Sequence, residues 1–159
     1  MWDVNTNISD SAKWLKRKTE LIEEKEALIQ NKNARGTSYI VFVRRGGVFD
    51  CELGSGNIGG EKNKTRPVLV LSNNAINNGH TVVVVPLSTK FPSKSNGLPM
   101  YKNHYMLWKT KYSFLDANSV AKFEDIRSVD VVRLRQLRGN IDVVDMKRME
   151  KCLNFTMGY

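Results

Sequence analysis

Cysteine, histidine and proline are scarce: the 159 residues hold two, two and four of them. Cys51 and Cys152 are too few and too far apart to frame a disulfide-stapled fold. Both sit at apolar-periodic positions, which reads as buried, reduced thiols in a cytoplasmic protein. His80 and His104 make no zinc-type cluster with them, so neither a metal nor a cofactor is expected. Long apolar runs are also missing. Ile40–Val43 and Val82–Leu87 fall far short of a membrane span, and the polar N-terminus is no signal peptide. Acidic residues are outnumbered, 16 Asp+Glu against 25 Lys+Arg, for a formal net charge of +9. Such a balance favours polyanionic partners.

The excess cation is unevenly placed. Residues 1–36 carry seven Lys/Arg and six Asp/Glu, so the body of the chain holds +8 of the +9. The first seven residues read as frayed. From Ser9 or Asp10 to Gln30 strong helix formers follow Ser/Asp caps, predicting a helix, with a polar linker over Asn31–Ser38. Trp14/Leu15, Leu21/Ile22 and Leu28/Ile29 recur every seven residues, with Lys18 and Lys25 between them. That narrow stripe suits packing on the chain's own domain, or docking another protein. The division expected is a helical extension and linker over 1–36 and a barrel domain over 37–159.

Residues 46–72 organise that second domain. In Val48–Leu53, Phe49, Cys51 and Leu53 share one parity while Asp50 and Glu52 take the other, predicting a half-buried strand. Residues 68–71 are apolar throughout, predicting a strand covered on both faces. The loop between them carries Glu61, Lys62, Lys64 and Arg66. Its Gly54, Gly56 and Gly59 spell G-x-G-x-x-G, but Arg66-Pro67 and a β-type run follow where a dinucleotide site needs a helix. The glycines therefore read as loop freedom. Residues 39–43 read as a strand or a linker that packs, and further strands are expected over Thr81–Thr89, Met100–Lys109 and Asn118–Ile126, with an Asn78-Gly79 turn. A short helix Val131–Arg138 is expected behind Ser128 and Asp130. A last helix opens at Asp142, with Val144, Met149, Cys152, Leu153 and Phe155 on one apolar face. Several strands on short turns with a terminal helix predict a small antiparallel barrel, mainly β with added helices.

RGGVFDCEL, GGEKNKTRPVLVLSNN, TVVVVPLSTK and FEDIRSVD, in this order and spacing, resemble the MazF/PemK family of toxin endoribonucleases from about Arg45 to Phe155. The most specific piece is Gly59, Glu61, Arg66, Pro67 and Val68. The resemblance implies an SH3-like β-barrel of the MazF/PemK/CcdB type, usually a homodimer whose groove takes single-stranded RNA. It also implies metal-independent cleavage leaving a cyclic phosphate and a 5′-hydroxyl, and a small antitoxin that neutralises the protein, with DNA binding conceivable alongside that antitoxin. Arg66 matches the family's catalytic arginine, Ser88 its catalytic threonine, Glu61 its acidic loop residue, and Thr89 the adjoining hydroxyl position. Ser88 lacks the methyl that would fix its rotamer. Lys90 and Asp125 stand where many members have glutamine, and the extension 1–36 has no counterpart in minimal members.

The residue types suit that chemistry. Attack by an RNA 2′-hydroxyl needs in-line geometry, proton removal, and donors for charge building on the phosphorus oxygens. A guanidinium such as Arg66 stays protonated and forks onto two of those oxygens. Ser88 can donate to the phosphate, and Glu61 is a candidate base, poor at neutral pH until desolvated. Lys62, Lys64, Lys90, Lys94 and Arg127 are candidate phosphate contacts. Phe91, Tyr101 and Trp108 are candidate stacking surfaces, with core packing favoured for Trp108. Taken singly, Arg66 also reads as a surface ion pair, Ser88 as a strand-end cap and Glu61 as a solvated charge. Two other readings remain open: a CcdB-type toxin that binds a protein such as gyrase through its terminal helix, and a catalytically dead nucleic-acid-binding regulator.

Overall fold

A computed structural model describes residues 4–35, 42–55 and 64–159. The order of elements is α1 (Val4–Arg35), β1 (Gly47–Glu52), β2 (Thr65–Val70), β3 (Thr81–Ser88), β4 (His104–Leu107), β5 (Ser119–Lys122), β6 (Arg127–Asp130), β7 (Leu134–Asn140) and α2 (Val143–Met157). All strand pairs are antiparallel, in the order β4-β5-β3-β2-β1-β7 with β6 also on β3. β3 joins two sheets. Its residues 81–84 pair with β6, whereas Leu87 and Ser88 pair with β5. Pro86, which has no N–H to give a ladder, falls where the partner changes. This is the mainly β architecture with added helices that the sequence predicts.

Alternation sorts the side chains into two cores. Phe49, Cys51, Leu53, Val68, Val70, Val82, Val84 and Val129 form one. Val48, Leu69, Leu71, Val85 and Leu87 turn the other way, onto Leu107, Phe123, Met146, Met149 and Cys152. β2 is thus covered on both faces, as its unbroken apolar run predicts. Both cysteines are buried and free. Burial pushes the Cys51 thiol up to about 11, against the pull of Arg133 and Arg127, and pushes Cys152 up as well.

Several boundaries differ from expectation. The stretch Val131–Arg138 is no helix: Asp130 caps a single 3₁₀ turn, accepting from Val132 N at 3.1 Å, and the chain then pairs with β1 as β7. Closing that edge of β1 outweighs a local cap. Residues 118–126 break after Lys122 into a 3₁₀ turn, Phe123–Asp125, before β6. Only His104–Leu107 of 100–109 is strand, and Trp108 is 41% exposed instead of packed in the core. α1 starts at Val4, not at a Ser9 or Asp10 cap, and runs on to Arg35, into the expected linker. α2 is capped as predicted, Asp142 accepting from Asp145 N at 2.7 Å. Its buried face, however, is Asp145, Met146, Met149 and Cys152, and Val144 and Phe155 are exposed. Residues 39–41 lie outside the described residues, and 42–44 are not strand.

α1 lies against the barrel. Leu21 is buried, while Ile8, Leu15, Ile22 and Ile29 face outward. Ions hold it. Arg17 forks onto Glu52 through Nε at 2.8 Å and a terminal nitrogen at 2.9 Å. Arg135 bonds Glu52 at 2.5 Å and Glu24 at 3.0 Å. Lys25 pairs with Asp130, and Ser55 Oγ donates to the Asp10 carbonyl at 2.8 Å.

Candidate active site and nucleic-acid interface

Strand register builds the site. Arg66 stands directly opposite Cys51 on β1 and shares its face of β2 with Val68 and Val70. Val68 pairs with Pro86 on β3. Arg66 lies two residues before Val68 and Ser88 two residues after Pro86, so both follow the last β2–β3 pair at the same end of these strands, where Ser88 itself pairs with Val120 on β5. Arg66 is half-buried, and Thr89 and Lys90 follow Ser88 as exposed residues at the same sheet end.

Ser88 is only 8% exposed, and its hydroxyl is engaged. It donates to the Lys90 carbonyl at 2.9 Å and accepts from the Lys90 N–H at 3.2 Å. That is a strand-end cap, so its single proton reaches a ligand only by leaving a carbonyl of an exposed residue.

The loop between β1 and β2 is pinned at its neck. Leu53 N–H donates to the Lys64 carbonyl at 3.0 Å, and Lys64 N–H donates to the Gly54 carbonyl. Lys64 takes a left-handed conformation, φ +63°, an uncommon one for a residue with a side chain. Glu61 and Lys62 lie outside the described residues. Lys64 is exposed beside the start of β2. Lys94 is exposed on a turn closed by Lys94 N to Leu98 O at 2.8 Å and Gly97 N to Lys94 O at 2.9 Å, where Gly97 supplies φ +77°.

Asp125 and Arg127 belong to a neighbouring region. Arg127 pairs with Val84, which pairs with Val70, four residues along β2 from Arg66. Arg66, Ser88, Thr89 and Lys90 therefore share one end of the β2–β3 pair, and Arg127 is set further down the same face as Arg66. Arg133 was not among the predicted residues, because the sequence around it reads as helix. It donates to the Glu52 carbonyl at 2.7 Å and sits 5.0 Å from the Trp14 ring centre. Burial lowers its pKa. Among the described residues, no group of three or more His, Cys, Asp or Glu side chains is placed to hold a metal, and no helix is long and apolar enough to cross a membrane.

Fold and site together define a small antiparallel β-domain with a guanidinium and a hydroxyl at adjoining strand ends. The sequence model of the PemK-like, MazF-like toxins of type II toxin-antitoxin systems matches residues 44–157. The chain is 30% identical over 116 residues to Endoribonuclease MazF of Staphylococcus saprophyticus, covering 73% of this chain and 92% of that protein. Its fold is similar to MazF (Form-I) from Deinococcus radiodurans, with TM-score 0.59 and 20% identity over 74% of this chain and 98% of that one. It is also similar to an endoribonuclease solved with its cognate antitoxin from a mycobacterial species, with TM-score 0.56 and 23% identity over 73% and 95%. The chain belongs to the PemK/MazF toxin family. The matched region begins at residue 44, so α1 lies before it.

Proposed function

We propose that this protein is a cytoplasmic toxin endoribonuclease that cuts single-stranded RNA at short sequence motifs, works as a homodimer and is neutralised by a cognate antitoxin. The observation that carries the reading is the pairing of Val68 with Pro86, two residues from Arg66 on β2 and two from Ser88 on β3, within a chain similar to an endoribonuclease. The antitoxin follows from relatives solved as MazE–MazF complexes.

The 2′-hydroxyl of the substrate attacks the adjacent phosphorus, and the bond to the 5′-oxygen breaks, giving a 2′,3′-cyclic phosphate and a 5′-hydroxyl. Arg66 forks onto the non-bridging oxygens as their charge grows. The Ser88 hydroxyl swings from the Lys90 carbonyl to one of the same oxygens. Glu61 takes the 2′-proton once the substrate excludes water from the loop, and the leaving oxygen takes a proton from water. Lys62, Lys64, Thr89, Lys90 and Lys94 hold flanking phosphates, and Asp125 and Arg127 hold the chain further along. In this scheme side chains and water fill the proton and charge roles, and cleavage proceeds without a metal.

End-group analysis tests the scheme. Products of wild-type digestion should carry cyclic phosphate and take a 5′ label without prior phosphatase treatment. Ser88→Thr should keep that activity, and Ser88→Ala should lose on the order of tenfold or more in kcat. Products with 3′-hydroxyl and 5′-phosphate ends would rule the scheme out. Exposed Val143, Val144 and Phe155 on α2 favour the protein-binding toxin as second reading, and growth arrest that survives Arg66→Ala together with Ser88→Ala would select it.

A further inference from the structure

A cleft of about 470 Å³ opens between α1 and the barrel. Trp14, Lys18 and Lys25 form its helical wall, and Arg127, Ser128 and Arg133 face them. Leu21, Leu53, Val129 and Val132 make an apolar floor. The size suits one nucleotide and excludes a duplex. Four cations line the cleft against one carboxylate, Asp130, which Lys25 already holds. Lys18 has no hydrogen bond or ion pair with any described residue.

Position links the cleft to the proposed site. Four residues along a strand and two strand spacings separate Arg127 from Arg66, about 13 Å along and about 10 Å across. A strand leaving the scissile phosphate spans that distance in a few nucleotides. Cys51, opposite Arg66 on β1, feels the charge of both Arg127 and Arg133.

We propose that this cleft is an additional RNA subsite, taking one unpaired nucleotide a few positions from the cleavage point. Lys18 and Arg127 contact its phosphate, and its base lies on the apolar floor near Trp14. Trp14 and Lys18 precede the family-matched region, so the helical wall of the subsite lies outside the shared fold. It rests on the reading of Arg66 and Ser88 as an RNA-handling pair.

The test uses the full chain carrying Arg66→Ala, so that RNA stays intact. Binding is measured from low to moderate salt for a mixed-sequence single strand of about 20 nucleotides and for the same sequence as duplex. Lys18→Glu is compared with Lys16→Glu, the same charge change about 200° round the helix. Only Lys18→Glu should weaken single-strand binding, by roughly tenfold at low salt, and flatten the salt slope by about 0.7. Ultraviolet cross-linking of 4-thiouridine-substituted RNA should label the peptide containing Trp14. Equal losses for the two variants, or equal single-strand and duplex affinity with no cross-link to α1, would overturn the subsite. The two readings fail separately. Should the Arg66-containing protein leave RNA uncut while the difference between Lys18→Glu and Lys16→Glu persists, the nuclease reading falls and the subsite stands.

Discussion

Replacing Glu52 with glutamine should release α1 while leaving the barrel folded. The Glu52 side chain is 15% exposed and gathers two guanidinium groups, Arg17 from the helix and Arg135 from β7. Hydrogen bonds to charged groups contribute about 1.5–3 kcal/mol each. Arg17 and Arg135 are 30% and 34% exposed and recover water when the carboxylate is lost, so the full penalty of a buried broken pair does not apply. Glutamine also keeps one acceptor. The expected net loss is about 2 kcal/mol, which raises the opening constant of α1 about 30-fold. Hydrogen exchange followed by peptide mass spectrometry reads this directly: peptides around Arg17 and Leu21 should exchange about 30-fold faster, and those of β2 and β3 should not change.

The same contact has a pH signature. Hydrogen bonds from Arg17 hold the Glu52 carboxyl below its ordinary value of 4.5, and those from Arg135 do the same for Glu24. A depressed carboxylate contributes its stabilisation above the unfolded value and loses it as pH falls through the folded one. Protection of α1 should therefore be flat above about pH 5 and fall in more acid solution, less steeply in Glu52→Gln. Unchanged α1 exchange in Glu52→Gln would refute the idea that Glu52 anchors the helix.

Asp145→Asn should lower the melting temperature by about 5–15 °C. The buried Asp145 carboxylate accepts from Tyr105 at 2.8 Å, Tyr112 at 2.6 Å and Lys111 at 2.8 Å, and calorimetry checks the loss. Gly139→Ala should cost about 1–3 kcal/mol in urea unfolding, because a Cβ there would lie 2.2 Å from the Phe114 ring. Cys51, buried with its thiol raised to about 11, should resist alkylation at pH 8 until denaturant is added, as timed labelling would show.

Local patterns were legible wherever burial and period agreed. Parity placed Phe49, Cys51 and Leu53 in one core, and the run 68–71 announced a strand covered twice. Asp142 as a helix cap was equally direct. The common strand end of Arg66 and Ser88 was harder to see: the two residues are remote in sequence, and only antiparallel register across Val68 and Pro86 relates them. The misreadings share one cause. Val131–Arg138 looked helical because caps are local, whereas its pairing with β1 is not. Glu52 looked like a solvated residue on the polar face of its strand, and its partner Arg17 comes from a helix 35 residues away. Lys18 looked like an interruption in an apolar stripe; the barrel beneath it turns that interruption into part of a cleft wall.

The most direct measurement is digestion of a long, mixed-sequence single-stranded RNA in excess EDTA, with wild type beside Arg66→Ala and every new end mapped. Discrete cuts ending in cyclic phosphate are expected from wild type, with a loss on the order of 10²–10³ in rate from Arg66→Ala. Intact RNA from folded, antitoxin-free wild type, or equal cutting by both proteins, would contradict the role given to Arg66.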